Sequence, residues 1–131
     1  MTVLDSSGAV DYLLGEEAAP AVAEIFGGET AAAPDLITFE VLAVLRRLVL
    51  HRQLDLVRGT AAVADLADLP IDLFPSLPLI PRAWDLRGSM TAADAIFVAL
   101  AEALGEKLAT KDDRLARTVA QQTEVELIRL G

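Results

Sequence analysis

The chain has 131 residues, 53% of them apolar, and a formal net charge of −9 from 11 basic and 20 acidic side chains. Length and apolar content predict one globular domain over residues 1–131 and exclude intrinsic disorder. The lack of cysteine excludes disulfides and thiolate metal sites. No apolar run is long enough for a membrane span and no signal peptide is visible, so we expect a cytoplasmic protein. The negative charge, considered alone, argues against binding to nucleic acid.

The first half of the chain predicts two short strands and several helices. Residues 2–4 form a short apolar run that ends at Asp5, and the following Ser-Ser-Gly is typical of a turn into a helix. Gly27-Gly28 ends the second helix. Residues 36–52 are apolar on nearly every side, which indicates a helix that is buried or lies in an interface. The predicted helices after the first span 16–26, 36–52 and 54–67, and a second strand spans 30–33.

The second half continues the alternation of short apolar strands and helices. Residues 75–78 are predicted as a loop, and a short helix carries Trp84, which we expect to pack against the loop. The alternation predicts an α/β protein with a mostly parallel sheet that is covered by helices on both faces. The predicted strands span 71–74, 107–110 and 125–129, and the helices after Trp84 span 91–104 and 113–121.

Acidic residues occur where the carboxyl edge of such a sheet would bind a ligand. Asp5 and Asp112 follow strands, and Asp94 lies in the first turn of a helix. Each also has a simpler explanation. Asp5 and Asp112 are suitable helix N-caps. Thr91 and Asp94 have the spacing of a capping box.

Glu40 is harder to explain as a surface residue, because the surrounding helix has no clearly polar face. Its neighbours along the chain are apolar: Leu36, Ile37, Phe39, Val41, Leu42, Ala43, Val44 and Leu45. A buried carboxylate is normally paired, protonated or bound to metal. Arg47 is the alternative partner, since it lies on the same helical stripe.

Several carboxylates at one edge would repel one another unless a cation lay among them. Oxygen ligands without thiolates, and with one histidine in the chain, favour magnesium or manganese over zinc. Phosphodiester cleavage commonly uses such a cluster, because a metal ion lowers the pKa of the attacking water and stabilises the leaving oxygen.

Four motifs in order resemble the PIN-domain ribonucleases, specifically the VapC-type toxins of bacterial and archaeal toxin–antitoxin pairs. The third motif is the most specific, and the fourth contains Thr-x-Asp followed by Arg-Leu. The segments are 3–9, 34–47, 90–102 and 108–116. The resemblance implies a three-layer α/β/α sandwich with a parallel sheet.

The resemblance also implies the roles of individual residues. The metal-binding and catalytic acids would be Asp5, Glu40, Asp94 and Asp112. Ser7 and Thr110 would support them through hydrogen bonds. Asp113, which is adjacent to Asp112, would be a further supporting residue, and the two aspartates could exchange roles. The chain departs from the family pattern at Ala43, where many relatives have asparagine, and at Ala93, where an aromatic residue is common.

The implied activity is magnesium-dependent endonucleolytic cleavage of RNA, with manganese as a possible substitute, and inhibition of translation. A VapB-type antitoxin would bind across the site, and a cationic segment would suit its charge. The apolar 36–50 helix suggests a homodimer. RNA contacts are expected from Arg46, Arg47 and Arg114, although each could equally be an ordinary solvated side chain.

The sequence leaves one alternative open and excludes two others. A catalytically weak PIN-fold module could act by binding RNA or a partner, and Ala43 and the acidic surface favour it. A phosphoryl-receiver domain is excluded because two serines follow Asp5 and Pro75 follows Phe74. Dinucleotide binding is excluded because the Ser-Ser-Gly turn is not a glycine-rich phosphate loop.

Overall fold

The computed structural model describes residues 1–131 and contains five strands, seven α-helices and one short 3-10 helix at Leu77–Leu79. The strands are β1 (Val3–Leu4), β2 (Ala31–Pro34), β3 (Ile71–Phe74), β4 (Leu108–Thr110) and β5 (Leu127–Arg129). The helices are α1 (Ser6–Leu14), α2 (Ala19–Gly28), α3 (Leu36–Leu50), α4 (Leu56–Leu66), α5 (Ile80–Asp85), α6 (Ala92–Leu104) and α7 (Asp113–Gln122). The predicted order of elements is confirmed. The 3-10 turn, however, lies where the sequence predicted only a loop.

All five strands are parallel, in the order β3-β2-β1-β4-β5. The predicted α/β fold is therefore confirmed, and the sheet is wholly rather than mostly parallel. The chain builds outward from β1 to β3 and then returns to the other side of β1. This reversal leaves a crevice at the carboxyl ends of β1 and β4, where open parallel sheets bind ligands.

The central strands are buried on both faces, which explains why their sequences are continuously apolar. Val3, Leu4, Leu108 and Ala109 have no solvent exposure, and neither do the three alanines of β2. Parallel strands covered on both faces need this composition, because no side of the strand reaches water. Helices α1 to α4 pack on one another, and α5 packs on α6. No helix is long and apolar enough to cross a membrane.

Helix α3, which the sequence predicted to be buried or to lie in an interface, is buried on one face and exposed on another. Ile37, Val41 and Leu45 face the core at 1% exposure or less. Phe39 and Leu42, by contrast, are 66% and 51% exposed. The helix is apolar on two faces, but the fold of one chain covers only one of them.

The expectation that Trp84 packs against the loop is also wrong. Its side chain is 65% exposed. The Arg87 guanidinium lies 4.7 Å from the centre of the indole ring, so the contact that Trp84 makes is a cation–π contact. Trp84 is the only tryptophan in the chain, and it is thus a surface residue of α5.

Candidate active site

Asp5 is the buried centre of the carboxyl edge of the sheet. It follows β1, caps α1 and is 7% exposed. Its Oδ1 accepts from the Ser7 hydroxyl at 2.8 Å and from the Gly8 amide at 3.0 Å. Its Oδ2 accepts from the hydroxyl of Thr110, which has no solvent exposure at the end of β4. Because β1 and β4 are neighbouring strands, this last bond joins the two sides of the crevice.

Burial raises the pKa of Asp5, and the negative charge of Asp94 raises it further. The hydrogen bonds from Thr110, Gly8 and Ser7 oppose this rise but do not cancel it. The ionised form of Asp5 is therefore favoured by its three donors and disfavoured by lack of solvent. A nearby cation would remove that conflict.

Glu40 is half-buried on the second turn of α3, and its pKa is affected by the acids of the same crevice. Burial raises its pKa, the Ser6 hydroxyl lowers it through a hydrogen bond, and the charges of Asp94 and Asp5 raise it. The alternative partner, Arg47, is exposed and forms no ion pair. Glu40 is thus a carboxylate beside other carboxylates, without a basic residue to neutralise it.

Asp94 lies in the first turn of α6, directly behind the cap that the sequence predicted at this helix start. The Thr91 side chain caps α6 and accepts from the Asp94 amide at 3.2 Å. Burial raises the pKa of Asp94, Thr91 lowers it, Asp112 raises it and Arg114 lowers it. Asp94 therefore lies within the electrostatic reach of both Asp112 and Arg114 while its backbone starts a helix.

The adjacent aspartates Asp112 and Asp113 have different surroundings. Asp112 caps α7 by accepting from the Leu115 amide at 3.1 Å, and its own amide donates to Thr110 Oγ1 at 3.0 Å. Asp113 is exposed, and its Oδ1 lies 2.8 Å from Arg129 Nη1. Only Asp112 contributes to the pKa of Asp94. The geometry favours Asp112 as the fourth acid, with Asp113 directed to Arg129.

The four acids influence one another in a chain, but they do not form a finished metal site. Asp5 and Glu40 each feel the charge of Asp94, which in turn feels that of Asp112. None of the four forms an ion pair, and no three acidic or histidine side chains converge closely enough to hold an ion. An oxygen-only donor set lacking basic partners has the chemistry that a hard divalent cation prefers.

The arginines expected to contact RNA lie in two places. Arg46 and Arg47 are exposed on α3, and Arg114 is exposed in the first turn of α7. Of the three, only Arg114 lowers the pKa of a site acid. It is therefore the arginine best placed to meet a phosphate group near Asp94.

Ser6, which the sequence did not single out, lowers the pKa of Glu40, while the Ser7 hydroxyl donates to Asp5. Successive helical residues point about 100° apart, so two adjacent serines at a helix start can serve two different acids. The pair Ser6-Ser7 after a strand-ending aspartate was the available signal. A surface cavity of about 450 Å³ does not belong to this site, since Lys107 and Glu126 line it at the opposite edge of the sheet.

Comparison with known proteins identifies the class of fold first. The structure matches that of PAE2754 from Pyrobaculum aerophilum with a TM-score of 0.73, at 18% identity over 98% of this chain and 88% of the other. It matches a toxin–antitoxin complex from Klebsiella pneumoniae with a TM-score of 0.68, at 17% identity over 100% and 98% of the two chains. At these identities the likeness concerns the fold alone.

The sequence comparisons then give the family. The PIN domain family model matches residues 2–121. Ribonuclease VapC12 of Mycobacterium tuberculosis is 39% identical over 98% of this chain and 99% of the relative. Ribonuclease VapC1 of the same species is 37% identical over 97% of each chain. The chain belongs to the PIN domain family, and the resemblance to its VapC members is confirmed.

Replacing Thr110 by valine is expected to destabilise the protein by about 1–3 kcal/mol. Valine has nearly the same shape as threonine but no hydroxyl, so the buried carboxylate of Asp5 loses a hydrogen-bond donor. The pKa of Asp5 should rise further, since this hydrogen bond lowers it. Urea unfolding in EDTA measures the loss of stability. Thr118→Val is the control, because that hydroxyl donates to the Arg114 carbonyl at an exposed position. Equal losses in both variants would contradict the role of Thr110.

Proposed function

We propose that the protein is a divalent-metal-dependent endoribonuclease that acts as the toxin of a toxin–antitoxin pair and inhibits translation. One observation carries the proposal. Four carboxylates at the topological switch point of the sheet influence one another and lack basic partners. The names of the VapC relatives as ribonucleases support the same activity.

The residues have distinct tasks in the proposed reaction. Asp5, Glu40, Asp94 and Asp112 would hold the cation. A bound magnesium or manganese ion would supply the positive charge that activates water and stabilises the leaving oxygen. Ser7 and Thr110 keep both Asp5 oxygens oriented through their hydrogen bonds. The Ser6 hydroxyl lowers the pKa of Glu40 and so favours its ionised form.

RNA would be bound through local positive charge, because the chain as a whole has a net charge of −9. Arg114 is the first candidate for a phosphate contact, since it acts on Asp94. Arg46 and Arg47 would contact the RNA backbone farther from the reacting phosphate. Phosphate contacts of this kind fix position without reading sequence.

Two protein partners are part of the proposal. The Klebsiella structure is of a toxin–antitoxin complex, which supports a VapB-type antitoxin as the partner of this chain. A cationic antitoxin segment would complement the unpaired acids. The exposed apolar face of α3, with Phe39, Leu42 and Leu50 at 66%, 51% and 59% exposure, supports a homodimer that covers it.

Cleavage of total RNA and transfer RNA by the purified, antitoxin-free protein tests the function. We expect discrete fragments with magnesium or manganese and none with EDTA. Attack by water should leave 3′-hydroxyl and 5′-phosphate ends, so cyclic phosphates would contradict the mechanism. If the protein binds metal but cuts no RNA in a wide panel, the result favours the alternative of a catalytically weak module that binds RNA or a partner.

The adjacent aspartates provide a matched pair of variants for the same assay. Asp112→Asn is expected to remove most cleavage while α7 still starts normally, because asparagine caps helices about as well as aspartate. Asp113→Asn should retain cleavage, since it loses only an exposed ion pair with Arg129. Normal activity in Asp112→Asn together with loss in Asp113→Asn would reverse the assignment.

A further inference from the structure

Lys111 and Asp11 form an ion pair beside the acidic crevice that the proposed function does not use. Lys111 Nζ lies 2.9 Å from Asp11 Oδ1 and 3.0 Å from Oδ2. The Asp11 side chain is 6% exposed, whereas the carboxylates of the other ion pairs are 27% or more exposed. Oδ2 also accepts from the Ala18 amide at 3.0 Å. Asp11 is thus a buried anion that joins three separate segments.

The two residues lie on the elements that carry the site. Asp11 is on α1, the helix that Asp5 caps. Lys111 lies between Thr110, which donates to Asp5, and Asp112, which caps α7. Two successive residues therefore attach this connection, residues 110–112, to β1 and α1. The Thr110 hydroxyl binds Asp5, and the Lys111 ammonium group binds Asp11.

The backbone of this segment transmits the attachment to Asp112. The Asp112 amide donates to Thr110 Oγ1 at 3.0 Å, and the Leu115 amide donates to Asp112 Oδ1 at 3.1 Å. Lys111 lies inside this hydrogen-bonded connection, directly before Asp112. Its ion pair with Asp11 therefore attaches the connection to α1 next to the fourth acid.

We propose that Lys111 is a positioning residue, which through Asp11 anchors the connection that carries Asp112 beside Asp5 and Asp94 and so supports cation binding. This inference rests on the proposed function. Lys111 itself touches no reacting group, because its ammonium is occupied by Asp11. Asp112 lies in the connection between two core-packed elements, β4 and α7, and Lys111 is the residue of that connection that pairs with α1.

The test compares Lys111→Met and Lys111→Arg with Arg82→Met. The control breaks the Arg82–Glu102 pair, whose two N–O distances are 2.7 and 3.1 Å. Glu102 lines the cavity at the other edge of the sheet, so the control removes a bidentate pair far from the acids. Amide exchange at Asp112 and Leu115 is measured in metal-free protein, manganese affinity by calorimetry, and RNA cleavage as separate kcat and KM.

We expect Lys111→Met to speed exchange at both amides and to weaken manganese binding by about 10–100-fold, the usual effect of losing a residue that orients a ligand. kcat should fall with KM for RNA unchanged, and Lys111→Arg should restore most of both. Unaltered exchange and affinity in Lys111→Met, or equal changes in Arg82→Met, would overturn the proposal.

Two further comparisons keep the test decisive. If Lys111→Met fails to fold, Asp11→Asn/Lys111→Met removes both charges together, so that no buried ion is left unpaired. That variant should still lose manganese affinity, and normal affinity in it would refute the positioning role. If wild-type protein cuts no RNA, the proposed function fails, whereas the amide-exchange and manganese measurements still decide whether Lys111 positions Asp112.

Discussion

An Asp94→Asn variant is expected to lose RNA cleavage by at least about 100-fold, as expected when an electrostatic group is removed from a catalytic site. In EDTA at neutral pH, the same variant should be more stable than wild type. The folded protein raises the pKa of Asp94 through burial and through the charge of Asp112. The ionised carboxylate is therefore unfavourable in the folded state, and asparagine removes that charge while keeping the shape.

The sign of the stability change follows from linkage. A carboxyl group with a raised folded-state pKa stabilises the fold below its unfolded pKa and loses that contribution as the pH rises through the folded pKa. The advantage of Asp94→Asn should thus appear near neutral pH and disappear toward pH 4. Thermal unfolding in EDTA at several pH values measures it. Asp65→Asn, at an exposed position of α4, is the control, and an equal gain there would contradict the explanation.

Magnesium or manganese is expected to raise the Tm of the wild-type protein, because an ion that binds only the folded state stabilises it by about 2.7 kcal/mol at a hundredfold excess over Kd. Without the ion the acids repel one another, so the rise in Tm should depend on all four of them. We expect Asp94→Asn to show little gain, and Asp65→Asn to show the full gain.

Acid should reduce this metal-dependent stabilisation. The pKa values of Asp5, Glu40 and Asp94 are all raised, each mainly by burial. Protons therefore compete with the ion at a higher pH than they would for exposed carboxylates. Unfolding with magnesium and with EDTA across pH 4–8 gives the difference directly. A difference that does not change over this range would contradict binding at these acids.

The sequence predicted the sheet well because its strands are short, apolar and bounded by polar or turn residues. β1 ends before Asp5, and β4 ends before Lys111, so Asp5 and Asp112 could be found from the ends of strands. Asp94 was indicated by its place in the first turn of a helix, and Glu40 by its apolar neighbours along the chain. The predicted link between these four acids required the parallel order of the strands, which the alternation of elements supplied.

Other features depend on tertiary packing that no local pattern reveals. Asp11 and Lys111 are 100 residues apart in sequence, and neither has a local partner to draw attention to it. The choice between Asp112 and Asp113 depends on the position of Arg129 on β5. Trp84 and the outer face of α3 are apolar but exposed, because amino-acid type alone does not show how much surface the rest of the chain can cover.

Because Asp5 and Asp112 also cap helices, a substitution that preserves the cap should remove the activity of the protein without unfolding it. Asparagine is about as good a cap as aspartate, so one substitution at either position would remove a negative charge and leave the helix start in place. Under the proposed function, an allele with such a change would encode a protein that keeps its fold and cuts no RNA, so that the loss of the toxin's activity would leave the amount of folded protein unchanged.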